Sequence, residues 1–107
     1  MAYTFSKNSR YFTDGVRDLI PIDIQMFMWK CIDSTTIDKD FLQIFRLVTK
    51  GKGNLIIYHE QEKVKEDGIQ AFKHQYIFPD LLKEPINTKV YVIDDIDHST
   101  MLLAEEY

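Results

Sequence analysis

Apolar and polar side chains fall along this chain in blocks whose periods mark out elements before any other property is used. Arg10-Tyr11-Phe12-Thr13 has the aromatic and branched content of a short strand, and Asp14-Gly15 follows it as a turn pair. Ile24, Phe27, Met28, Cys31 and Ile32 recur at helical spacing, which predicts a helix from Pro21 to about Asp33. Ile20, Ile22, Ile24, Met26 and Met28 also alternate as in a strand. Pro21 interrupts that alternation, and the stretch is long for a strand. Ser34-Thr35-Thr36 then offers loop chemistry.

Phe41 to Val48 carries apolar groups on both faces, the mark of an inner strand. Gly51-Lys52-Gly53-Asn54 is a turn signal, and Leu55 to His59 reads as the hairpin partner. Ile69, Phe72 and Tyr76 share helical spacing, yet Tyr76-Ile77-Phe78 before Pro79 also suits an extended end. Lys89 to Ile93 is a strand by composition, Asp94 to Ser99 a turn, and Thr100 to Leu103 an antiparallel return. The expected class is α+β: a single domain over residues 1–107, with an antiparallel sheet of four or five strands and one main helix on a face. A charged insert at about 62–78 interrupts it.

Length and composition narrow the choice. One domain fits 107 residues, and a 45% apolar share excludes disorder for most of the chain. A single cysteine excludes an intramolecular disulfide framework and a cysteine-based zinc site. Lys7, Arg10 and Arg17 interrupt any N-terminal apolar stretch, so neither a signal peptide nor a membrane span is expected, and the setting is cytoplasmic.

Charge adds an asymmetry. The net charge of −4 combines a slightly basic first half, +2 over residues 1–54, with an acidic second half, −6 over residues 55–107, and Asp94 to Tyr107 contains no Lys or Arg. Asp94, Asp95, Asp97, Glu105 and Glu106 are therefore the candidate partner-binding residues. Such a patch repels phosphate and attracts basic protein surfaces, so a protein partner is expected, with no direct nucleic acid.

Candidate chemistry is sparse. Cys31 lies on the apolar stripe and reads as core rather than as a nucleophile. His59, His74 and His98 are scattered, without the spacing of a metal motif. The Asp94-Asp95-Ile96-Asp97-His98 run lacks the glycine and terminal glutamate of a calcium loop, and reads as a turn. No catalytic residue, metal or cofactor is assigned. The enzymatic alternative is RNA cleavage by His59 or His74, with Lys63, Lys65 and Lys73 holding phosphate. Glu60, Glu62, Glu66 and Asp67 lie among those lysines and cancel their field. A homodimer on an exposed strand edge is a further arrangement.

The order of short stretches resembles a family of known pattern. These are Arg10-Tyr11-Phe12-Thr13-x-Gly15-Val16, Ile20-Pro21, Gln25-x-Phe27-Met28-Trp29, Asp40 to Phe45, His59-Glu60-Gln61-Glu62, Val92-Ile93-Asp94-Asp95 and Met101 to Tyr107. In that order they are similar to domain-of-unknown-function family 960 of Gram-positive bacteria and their mobile elements. The family usually places a proline after its His-x-Gln-Glu stretch, where this chain has Lys63. The resemblance implies no catalytic residues. It does imply a small inhibitor of the kind mobile elements use against host defences, such as an anti-CRISPR protein. Such a protein would block guide RNA or DNA loading in the basic channel of an RNA-guided nuclease.

Overall fold

The computed structural model describes residues 3–66 and 68–107; Asp67 lies outside them. Strand β1 (Arg10–Phe12) leads into helices α1 (Asp14–Leu19) and α2 (Ile22–Asp33). The remaining strands are β2 (Leu42–Lys50), β3 (Asn54–Gln61), β4 (Phe72–Phe78), β5 (Thr88–Asp94) and β6 (Ser99–Leu103). A single 3-10 turn, Ala104–Glu106, follows β6.

Helix α1 occupies the place expected of a turn. Thr13 caps it, its Oγ1 accepting the Val16 N–H at 3.3 Å, and Asp14 sits in the first turn where the helix dipole favours a negative charge. Pro21 separates the two helices. It holds Ile20 in an extended conformation, and its carbonyl accepts the Ile24 and Gln25 N–H groups, so it caps α2 rather than opening it.

The six strands form one sheet in the order β1-β6-β5-β2-β3-β4. Every neighbouring pair is antiparallel except β1 with β6, which is parallel. The sheet is therefore mixed and wider than the four or five antiparallel strands expected. The extra strand is β4. Phe72 and Tyr76 are four apart, a spacing that strand and helix periods share, and Ile69 belongs instead to an isolated bridge with Val64. The charged insert is accordingly short, because its second half pairs with β3 throughout.

One face of this sheet is the core. Phe45, Leu47, Leu55, Ile57, Val90, Val92, Met101 and Leu103 pack there against Val16, Ile20, Ile24, Met28 and Ile32 of the helical segment. Phe27 meets Tyr76 and Phe78 edge-on, with ring centroids 5.1 and 4.9 Å apart, and closes the β4 side. Both helices serve this face, so the arrangement has two layers. No helix among the described residues is long and apolar enough to cross a membrane.

Candidate interaction surface

The opposite face of the sheet is built from the alternate residue of every strand. Register places Lys89, Arg46, Tyr58 and Gln75 in one row across β5, β2, β3 and β4. The next row runs Leu102, Tyr91, Ile44, Glu60 and Lys73. Below these, Val48, Ile56 and Ile77 form an apolar row. An antiparallel sheet with one wet face ordinarily turns polar residues outward. Here isoleucines, leucine and tyrosines occupy those positions, and Ile77 is 60% exposed.

Cations are laid over the rings. Lys73 Nζ stands 5.4 Å from the Tyr58 ring centroid, and Lys89 Nζ stands 5.4 Å from that of Tyr91. Arg46 Nε donates to Glu60 Oε1 at 2.8 Å. A groove of about 480 Å³ opens between Arg46, Glu60, Lys73 and Lys89 with buried Ile44 beside them, and Glu62 and Lys63 also line it. Tyr107 reaches this face from the chain end, edge-on to Tyr91 at 5.5 Å.

The five acids singled out in the sequence do not form one patch. Asp94 is 5% exposed; its Oδ2 accepts the Phe5 N–H at 3.0 Å and its Oδ1 the Ile96 N–H at 2.9 Å. It is a structural carboxylate, not part of a docking surface. Asp95 and Asp97 are exposed at the β5–β6 turn, with Asp95 3.6 Å from His98 Nε2. Glu105 and Glu106 lie at the far end of β6, separated from that turn by about 15 Å of strand. Glu106 accepts from Thr13 Oγ1 at 2.7 Å and from the Leu103 N–H at 2.8 Å. These two bonds, the hydroxyl first, hold its carboxyl below the ordinary range.

The histidines are also divided. His59 is fully buried, stacked on Phe45 with ring centroids 4.3 Å apart and 8° between planes. Its Nε2 lies 2.7 Å from Gln43 Oε1, an acceptor, so Nε2 carries the proton. Gln43 in turn donates to Gln61 Oε1 at 2.6 Å, and Gln61 donates to the Asp38 and Gln70 carbonyls. Burial first, and then His74, push the His59 pKa down to about 3. His59 Nδ1 is buried with no partner. His74 is exposed, its ring 6.5 Å from that of His59, and Lys63, Lys65 and Lys73 are exposed as well. Only Lys73 of these three sits in the pairing rows of the open face. Cys31 is buried, and desolvation raises its thiol to about 11 despite a hydrogen bond with Tyr76.

In the sequence Tyr58, Tyr91, Arg46 and Lys89 read only as members of strands, with no binding role. Their signal was the second member of each strand alternation, opposite the core residues; what brings them together is register, which no single strand displays.

Fold and surface define a two-layer, mostly-sheet α+β domain with one sheet face left open by its helices. The family model described as "Staphylococcal protein of unknown function" matches residues 9–106, and the chain belongs to that family. No curated protein matches it. A crystal structure described as that of a protein of unknown function from Enterococcus faecalis is similar in fold, with a TM-score of 0.79. At 22% identity the match covers 100% of this chain and 98% of that one.

Proposed function

We propose that this chain is a non-enzymatic interaction module that meets its partner through the open face of its sheet. The observation that carries the reading is the outward row of Val48, Ile56 and Ile77 beside Tyr58 and Tyr91, apolar surface where a solvated sheet face would be polar. Of the two histidines that RNA cleavage would use, His59 is sealed behind Phe45 and Phe72, out of reach of a dissolved substrate, which leaves exposed His74 as the one accessible proton carrier of the pair.

A second reading keeps the acidic docking implied by the family resemblance, including inhibition of an RNA-guided nuclease. It is favoured by one observation, the β5–β6 turn, where Ile96 is 72% exposed between exposed Asp95 and Asp97. The comparisons with known proteins lend no support to an anti-CRISPR role.

Capture from host lysate separates the two. The tagged wild-type chain is compared with a face variant, Tyr58→Ala with Ile77→Glu, and a turn variant, Asp95→Asn with Asp97→Asn. A macromolecule retained by wild type and lost only from the face variant supports the open-face reading. Loss only from the turn variant transfers the role to the acidic turn. Capture indifferent to both sets overturns both.

A further inference from the structure

The geometry points to single-stranded nucleic acid as the occupant of the open sheet face. The inference rests on the proposal that this face is the binding surface, and adds the chemistry of what it binds.

Charge on this face opposes that of the whole chain. Among the described strand residues, the outward positions carry Arg46, Lys50, Lys73 and Lys89 and one acid, Glu60. The strand positions of this face thus take four of the chain's 13 Lys and Arg and one of its 17 Asp and Glu, and Glu62 and Lys63, which line the groove beyond the strands, add one charge of each sign. The expectation of no direct nucleic acid came from net charge, which averages over both sheet faces, the helices and the ends. A phosphate chain lying on the sheet meets the local field.

Aromatic placement selects among polyanions. Tyr58 has Arg46 directly opposite and Lys73 over its ring; Tyr91 has Lys89 over its ring and Ile44 opposite. Each ring therefore offers a flat π surface with a mobile cation beside it. A base can take the place of the ammonium over the ring, and the freed lysine can then reach the adjacent phosphate. An acidic peptide would use the cations but has no group that needs the rings. A duplex hides its base faces in its own stack, so an open sheet with outward aromatics suits unpaired strands. The neighbouring Val48, Ile56 and Ile77 give sugar and base edges an apolar floor.

The test is fluorescence anisotropy with a labelled 12-nucleotide oligouridine, the equivalent duplex as competitor, and a polyglutamate peptide as control polyanion. Binding is expected to weaken roughly 20- to 50-fold between 50 and 200 mM salt, as three or four phosphate contacts require. Tyr58→Ala and Tyr91→Ala should each raise Kd about tenfold, while Tyr58→Phe and Tyr91→Phe should retain affinity because the ring is what stacks. The duplex should compete poorly. Absence of binding at 50 mM salt, indifference to both alanine variants, or equal binding of polyglutamate would each overturn the assignment. If the oligonucleotide fails while lysate capture still depends on Tyr58 and Ile77, the occupant is wrong and the face stands. If capture is also indifferent to them, both fail.

Discussion

The Asp94 carboxylate receives the backbone N–H of Phe5 across 89 residues of chain, at 3.0 Å and out of contact with water. Phe5 has a left-handed backbone, φ 49°, and a buried ring, and its carbonyl accepts from Arg10 at 2.8 Å. Asp94 and Arg10 thus clamp both polar ends of a residue whose backbone alone would resist that conformation. Asp94→Ala should leave the Phe5 N–H buried without an acceptor and cost about 1–3 kcal/mol. Asp95→Ala and Asp97→Ala, on exposed turn positions, should fall within about 0.5 kcal/mol of wild type. Urea denaturation of the three variants checks this contrast; equal midpoints would refute the clamp.

His59 makes stability depend on acid. Its pKa is about 3 when folded against an ordinary 6.5. Between those values the unfolded chain holds more protons than the folded one, so stability is complete above about 6.5 and declines as pH falls through the window. The decline approaches about 1.4 kcal/mol per pH unit. From pH 7 to pH 5 the urea midpoint should drop accordingly, by roughly 2 kcal/mol in stability. His59→Gln, which keeps a donor for Gln43 and cannot be protonated in this range, should flatten the dependence. Matching slopes in variant and wild type would assign the acid sensitivity elsewhere.

Gly53 closes the β2–β3 turn at φ +85°, and its carbonyl accepts the Leu82 N–H at 2.9 Å. A Cβ there would lie 2.2 Å from the Leu82 carbonyl oxygen, a backbone atom that cannot simply rotate away. Gly53→Ala therefore combines backbone strain with a clash, and should destabilise by more than about 1 kcal/mol. Gly51→Ala is the informative comparison. Its Cβ would meet only the Asn54 side chain, at 3.3 Å, so it carries the φ penalty with little of the clash. Thermal melting should rank wild type above Gly51→Ala, and that above Gly53→Ala; a reversed order of the two variants would remove Leu82 from the account.

The Cys31 thiol, held near 11 by burial on the inner side of α2, has almost no thiolate at pH 8. Iodoacetamide should leave it unmodified in the native protein and alkylate it fully in denaturant, as read by mass spectrometry. Rapid native alkylation would mean that the helix opens, or that the thiol is less desolvated than its surroundings imply.

What the sequence disclosed follows the range of the interactions. Helix α2 and the β2–β3 hairpin were legible because Ile24, Phe27, Met28, Cys31 and Ile32 share a local period and Gly51 and Gly53 punctuate the chain. Helix α1 was hidden because Thr13-Asp14-Gly15 serves equally as a turn and as a capped helix start. Strand β4 was ambiguous because Phe72 and Tyr76 satisfy two periods at once. The acidic set misled for a different reason. Asp94 and Asp95 are adjacent in sequence but differ in burial, because Asp94 is the last residue of β5 and turns inward to Phe5, whereas Asp95 begins the exposed turn that follows.

Ile96 joins the energetics of the acidic turn to its possible use. It is a β-branched residue at φ 77°, and 72% exposed, so its backbone is strained while its side chain gains little from packing. Asp94 Oδ1 holds its N–H at 2.9 Å, and Asp95 N–H donates to the His98 carbonyl at 2.8 Å, which together fix the conformation from both sides. Glycine accepts that φ without a Cβ penalty, so Ile96→Gly should stabilise the fold, by about 1 kcal/mol. Repeating the lysate capture with the same variant then asks whether the strain serves recognition. Under the open-face reading a stabilised Ile96→Gly protein captures as wild type does. If it is more stable yet captures less, the strained side chain is a contact, and the acidic turn rather than the sheet face is the surface that recognises the partner.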